Sequence, residues 1–219
     1  MTDASMSAAL AGVPAGVQAQ GVWTGRRQLF VRFAGEAETA TMFTSAALVR
    51  EIQRQLPRAP FHSISISGRD PLANLPFLLA VLKEAAPVLP VMLDTDGQRP
   101  EAIASIAPML SLIQVTVDFV GPQTTLSRAM ETIVAAHTAS CEHALILCPR
   151  DDTADGLVLR AIEHFHNLSG TAEVILHPPL PTCEPPALDR RWAVLLEKAT
   201  SAHGATRLAL RLPPPAGLR

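Results

Sequence analysis

Residues able to do chemistry recur at intervals along the chain, each just after a short apolar run. They are Glu36, then Ser67-Gly68-Arg69-Asp70, then Asp94-Thr95-Asp96-Gly97, then Asp118, then Arg150-Asp151, and finally His177. Carboxylates of this kind can act as general acids or bases, hold a divalent cation or accept from a ribose, and His177 adds a group that titrates near neutrality. Polar residues at such positions also serve simply as caps and turns. Glu36 and Glu38 with Asp94, Asp96 and Asp118 could form an acidic cation site. The three cysteines, Cys141, Cys148 and Cys183, are odd in number and irregularly spaced, which excludes a disulfide scaffold, a zinc ribbon and the common iron-sulfur loops. His164 and His166 lie two apart on an expected helix, point in different directions and cannot share a metal. No GxSxG, HExxH, Walker or GxGxxG sequence is present.

The elements that must position these residues alternate regularly. Strands are expected at Gln28–Phe33, His62–Ser67, Pro90–Asp94, Leu112–Asp118, His143–Cys148 and Glu173–His177. Helices are expected at Ser45–Gln55, Leu72–Ala85, Pro100–Ile106, Leu126–Thr138 and Thr153–Asn167, the last capped by Thr153 or Asp152. Six strand units at intervals of roughly 25 to 30 residues predict a parallel α/β architecture. Continuous Val/Ile/Leu runs fit strands covered on both faces, and in such folds the ligand site lies at the C-terminal ends of the strands. The first 16 residues are expected to be flexible. After His177 a proline-rich connector leads to a helix at Leu188–Ala202 and a short apolar run, Arg207–Leu212, with Pro213–Pro215 beyond it.

Composition narrows the partners. The 219 residues are 48% hydrophobic with a formal net charge of −2, so a substantial core is available and neither nucleic acid nor an anionic membrane is an expected partner. No run approaches the ~20 apolar residues of a membrane span, and residues 1–20 lack a signal-peptide pattern, so a cytoplasmic location is expected.

The ordered motifs resemble the radical S-adenosylmethionine (SAM) superfamily, in particular the 7-carboxy-7-deazaguanine synthases and the activating enzymes of glycyl-radical enzymes. Gln18-Ala-Gln-Gly-Val-Trp-Thr-Gly-Arg26 followed by Phe30-Val-Arg-Phe-Ala-Gly35 looks like the QGEG…GR…FVRxxG lead-in of the synthases. Ser65-Ile-Ser-Gly-Arg-Asp-Pro71 looks like the SGGEP segment, Leu93-Asp-Thr-Asp-Gly97 like LETNG, Val115-Thr-Val-Asp118 like the strand ending in DxK, and His177-Pro-Pro-Leu-Pro181 like the HPLG close of the sixth strand. The resemblance implies a partial (βα)6 TIM-like barrel over residues 17–181, preceded by the flexible residues 1–16 and followed by a helical, proline-rich appendage over residues 182–219.

It also implies a cluster that these residues cannot hold. In that superfamily the loop after the first strand carries CxxxCxxC, whose thiolates bind a [4Fe-4S] cluster that in turn chelates SAM. The corresponding positions here are Glu36, Ala40 and Phe43. Alanine and phenylalanine have no donor atom, and a single carboxylate is a poor ligand for an iron-sulfur cluster. The expectation is a protein without the cluster and without radical chemistry, acting as a subunit, scaffold or regulator. Its partner would be a catalytic radical SAM enzyme, a glycyl-radical-type enzyme, another protein or a second copy. The alternative is a non-radical enzyme or sensor that binds SAM or another small anionic ligand at the barrel mouth. The resemblance assigns that vestigial ligand site to Gly68, Arg69, Asp70, Asp94, Asp96, Asp118 and His177. Arg69 could fill it by pairing with Asp70, Asp94 or Glu36, or could bind an anion.

Overall fold

The structure is a computed structural model describing residues 6–120, 124–179 and 190–211. The parallel strands are β3 (Arg27–Phe33), β5 (Ser63–Gly68), β6 (Val91–Thr95), β7 (Leu112–Val117), β8 (His143–Leu147), β9 (Glu173–Leu176) and β10 (Thr206–Leu208). They lie side by side in chain order, each paired in parallel with the next. An antiparallel edge follows β3: β1 (Ser7–Gly12) pairs with β3 and with β4 (Thr41–Thr44), while β2 (Ala15–Val17) also pairs with β3. β4 and β10 end the strand order without meeting, so the barrel is not closed.

Strictly sequential order with right-handed crossovers keeps all connecting helices on one side. These are α1 (Ser45–Gln55), α2 (Leu75–Ala85), α3 (Pro100–Ile106), α4 (Thr124–Thr138), α5 (Asp155–Leu168) and α6 (Arg190–Ala202), each packed beside the next. Alternation along the strands divides the two faces. Leu29, Val31, Ile64, Ile66, Leu93, Ile113, Val115, Leu145, Leu147, Val174 and Leu176 join the main core with helix residues such as Leu48, Phe77, Ile103, Ile133 and Phe165. Residues one step out of phase, including Gln28, Ser63, Ser65 and Gln114, are buried yet polar and line the concave lumen.

Local chemistry explains several boundaries. Thr44 caps α1 by accepting from the Ala47 N–H at 3.1 Å, and Asn74 caps α2 by accepting from Phe77 at 3.3 Å. Pro100 opens α3, where its missing N–H has no helical partner to lose. Helix α5 begins at Asp155, later than expected. Thr153 does not cap it, because its hydroxyl accepts from the Arg150 N–H at 2.9 Å, and the cap position is Ala154.

Two expectations change. Within residues 1–16, expected to be flexible, Ser7–Gly12 and the start of β2 are strands that gain backbone partners on β3 and β4, so ladder hydrogen bonds outweigh a small-residue sequence of little periodicity. Residues 41–44, read as loop, form an edge strand. After residue 190, the appendage lies along the open sheet edge: β10 extends the parallel sheet and α6 buries Trp192, Leu195 and Ala199 against the same core. The proline-rich connector from residue 180, Cys183 and Pro213–Pro215 lie outside the described residues.

Candidate functional site

The C-terminal ends of β5, β6 and β7 open onto a cavity of about 420 Å³ whose lining includes Gln20, Gly68, Asp94, Asp96, Thr116 and Asp118. Asp94 is its most constrained group. Thr116 Oγ1 donates to one carboxylate oxygen at 2.9 Å and Gln20 Nε2 to the other at 3.3 Å. Although the residue stays partly accessible from the cavity, burial pushes its pKa above the ordinary carboxylate value, against the opposing pull of Thr116, Gln114, Gln20 and the Arg211 charge. Asp96 and Asp118 each fold back on the chain, accepting from the N–H groups of Gln98 (3.2 Å) and Val120 (2.9 Å). The lining therefore carries three carboxylates and, among the described residues, neither lysine nor arginine.

The Gly68-Arg69-Asp70-Pro71 turn behaves differently from the expectation. Gly68 has φ 99°, and a Cβ there would sit 2.1 Å from the Phe33 carbonyl oxygen. Asp70, also at positive φ, is clamped by Arg99: Nε donates to both carboxylate oxygens at 2.7 and 2.9 Å, and Nη2 to one of them at 2.7 Å. Arg69 does not turn into the cavity. Its side chain is 67% exposed and meets the 89%-exposed Glu36 at 3.3 Å. Of the three partners considered for it, Glu36 is the one it takes, in the solvent-exposed geometry that contributes least.

His177 is placed elsewhere. It is buried at the end of β9, where its Nδ1 donates to the Ala209 carbonyl at 2.6 Å and its Nε2 accepts from the Gly21 N–H at 3.0 Å. The histidine thus joins the 18–26 lead-in, which crosses the lumen, to the chain just after β10. Gln114 packs beneath the same loop, close enough that a Cβ on Gly21 would lie 2.0 Å from its Oε1. Arg211 follows, with Nη2 3.1 Å from Cys148 Sγ. Burial raises the Cys148 thiol pKa and Arg211 opposes the rise.

The three positions that the resemblance matches to cluster ligands lie in the loop after β3 and in β4. Glu36 and Ala40 are exposed, and Phe43 sits in β4 opposite Ala8, packed against the core. Glu38 accepts from the Gly35 N–H (2.9 Å) and from Arg32 (3.0 Å), which shapes this loop. Cys141 precedes β8 and Cys148 follows it, so the strand separates them. Among the described residues no group of three or more His, Cys, Asp or Glu is gathered closely enough to hold a metal ion. There also, no helix is long and apolar enough to cross a membrane.

Gln20, Thr116, Arg99 and Arg211 escaped the sequence reading. Thr116 and Gln114 had a legible signal, since two polar residues at i, i+2 interrupt an otherwise apolar central strand. Gln20 lay within the 18–26 lead-in without being singled out, and the two arginines had no signal because they come from remote loops.

No family model matches the sequence. The chain is 32% identical over 126 residues to the 7-carboxy-7-deazaguanine synthase of Methanothermobacter thermautotrophicus, a match covering 51% of this chain and 50% of the relative. It thus spans about half the length of that relative. Among solved structures, 3-dehydroquinate dehydratase from Geobacillus kaustophilus aligns with a TM-score of 0.47 and 13% identity over 90% of this chain and 79% of that one.

Proposed function

We propose that this chain is a radical SAM-like barrel that does not assemble a [4Fe-4S] cluster and serves as a non-catalytic subunit, scaffold or regulator of a partner enzyme. The observation that carries the reading is the loop after β3. Its three ligand positions hold Glu36, Ala40 and Phe43, with the first engaged by Arg69 and the last packed in a strand. A soft cluster requires thiolates, and these residues offer none. The clamped Asp70 adds support. In the resembled family the carboxylate of that segment lies at the methionine amino group, and here both of its oxygens are already engaged by Arg99.

Anaerobic reconstitution with iron and sulfide followed by SAM and a reductant tests this directly. The expected result is no iron-sulfur charge-transfer absorbance and no 5′-deoxyadenosine. Either signal overturns the reading.

One observation favours a second role, a ligand-responsive one: the cavity around Asp94 is open and its polar groups converge. Its three carboxylates suit a cationic or polyhydroxyl ligand better than an anionic one. In calorimetric titration SAM, which is cationic at its sulfonium, is expected to bind weakly or not at all if the scaffold role stands. Micromolar affinity, lost in Asp94→Asn, would shift the assignment to a sensor.

A further inference from the structure

At the N-terminal end of the barrel, away from the mouth, a cavity of about 640 Å³ opens beside the starts of β8 and β9 and is lined by His137, Cys141, His143, Ser169 and Glu173 among others. His143 is the first residue of β8 and is held by edge-on ring contacts with His137 of α4 (5.5 Å) and Phe165 of α5 (6.4 Å). Its Nδ1 lies 2.8 Å from the Cys141 carbonyl oxygen. A carbonyl can only accept, so that nitrogen carries the proton and Nε2 presents its lone pair. At 2.8 Å from Nε2 stands the Ser169 hydroxyl, which donates. Burial lowers the His143 pKa, which keeps the ring neutral and able to accept a proton at neutral pH.

We propose that Ser169 and His143 form a nucleophile–base pair, oriented by the Cys141 carbonyl, that accepts an acyl group from a small ester entering this cavity. The arrangement contains the parts that acyl transfer needs: a hydroxyl, a base within hydrogen-bond reach, and a third group fixing the base's tautomer. Ser169 Oγ bonds to the ester carbonyl carbon as its proton passes to Nε2. The carbon–oxygen bond to the leaving group then breaks, and the leaving oxygen takes that proton. Water, deprotonated by the same Nε2, cleaves the acyl-serine to return the hydroxyl and a carboxylic acid. The neighbouring Cys141 thiol does not compete at neutral pH, since burial pushes its pKa up to about 11. This site is independent of the mouth and of the cluster positions.

A serine tied to a histidine only to anchor the α5–β9 turn would gain no reactivity, so a covalent probe separates the two roles. The full chain is incubated with an alkyl fluorophosphonate at neutral pH and the adduct is mapped by peptide mass spectrometry. The expected result is a single adduct on Ser169 in native protein, absent after heat denaturation and absent in Ser169→Ala. His143→Gln, with its fold checked by circular dichroism, should slow labelling by about 100-fold. The proposal is overturned if Ser169 is unlabelled in the native protein, if labelling is equal in native and denatured samples, or if folded His143→Gln labels at the wild-type rate. Should that variant fail to fold, the native-against-denatured comparison decides by itself.

Discussion

Gly68→Ala is expected to lower the stability of the chain by about 3 kcal/mol or more and to shift the melting midpoint down by roughly 6–12 °C. Gly68 pairs with Phe33 at the end of the β3–β5 ladder, and the added methyl would stand 2.1 Å from the Phe33 carbonyl oxygen and 2.7 Å from its nitrogen. Both obstacles are backbone atoms of the neighbouring strand, so no rotamer change relieves them. The φ of 99° adds strain that only glycine avoids at little cost. Gly25→Ala supplies the control. It has a positive φ of 83° but nothing within 4 Å of the new Cβ, and its expected cost is about 1 kcal/mol. Urea denaturation of the two variants measures the difference. Equal losses would show that backbone conformation, and not the close approach of β3 to β5, sets the requirement for glycine at residue 68.

His177→Phe should cost about 3 kcal/mol, because it strands the buried Gly21 N–H and leaves the Ala209 carbonyl without its donor. The same contacts predict a pH dependence. Burial lowers the His177 pKa, with Arg211 and Arg207 pushing the same way and the Ala209 carbonyl opposing them. A histidine whose folded pKa is depressed contributes stability that is present above its unfolded pKa of about 6.5 and is lost as pH falls from there toward the folded value, since the unfolded chain takes up the proton first. His62 and His143, also lowered chiefly by burial, act in the same direction. Asp94 acts oppositely, because its raised pKa makes the fold less stable as pH rises from the ordinary carboxylate range toward its folded value. Comparing wild type, His177→Phe, Asp94→Asn and the double variant in urea across this range isolates the histidine contribution. A stability of Asp94→Asn that stays flat as pH falls below about 6.5 would contradict the assignment of His177 as a neutral tie between the two chain segments.

Much of the frame was legible from the order of residues. Helices α1 and α3 begin and end where the periodicity and Pro100 place them, and the six expected strands all appear within a residue or two of their expected ends. Apolar alternation and helix spacing are local, and buried faces are recorded in them directly. The antiparallel edge was not legible. Ser7–Gly12 and Thr41–Thr44 have weak patterns of their own and become strands through ladder bonds to each other and to β3. The same holds for β10, whose three residues complete a seventh parallel unit by pairing with Val174, Ile175 and Leu176.

The candidate site divides along the same line. The sequence alone determined the absence of thiols at Glu36, Ala40 and Phe43, because ligand identity is a property of residue type, and it placed Gly68, Asp94, Asp96 and Asp118 at strand ends that a parallel sheet gathers on one rim. Only the tertiary structure decided how those groups are used. Asp70 is neutralised by Arg99, 29 residues away. Arg69 lies in solvent, and His177 ties Gly21 to Ala209 outside the cavity. Charge pairing and burial depend on distance in space, which the parallel strands set by bringing together loops separated by dozens of residues. For the same reason a histidine and a serine 26 residues apart meet at 2.8 Å beneath β8, a contact with no trace in the spacing of either residue.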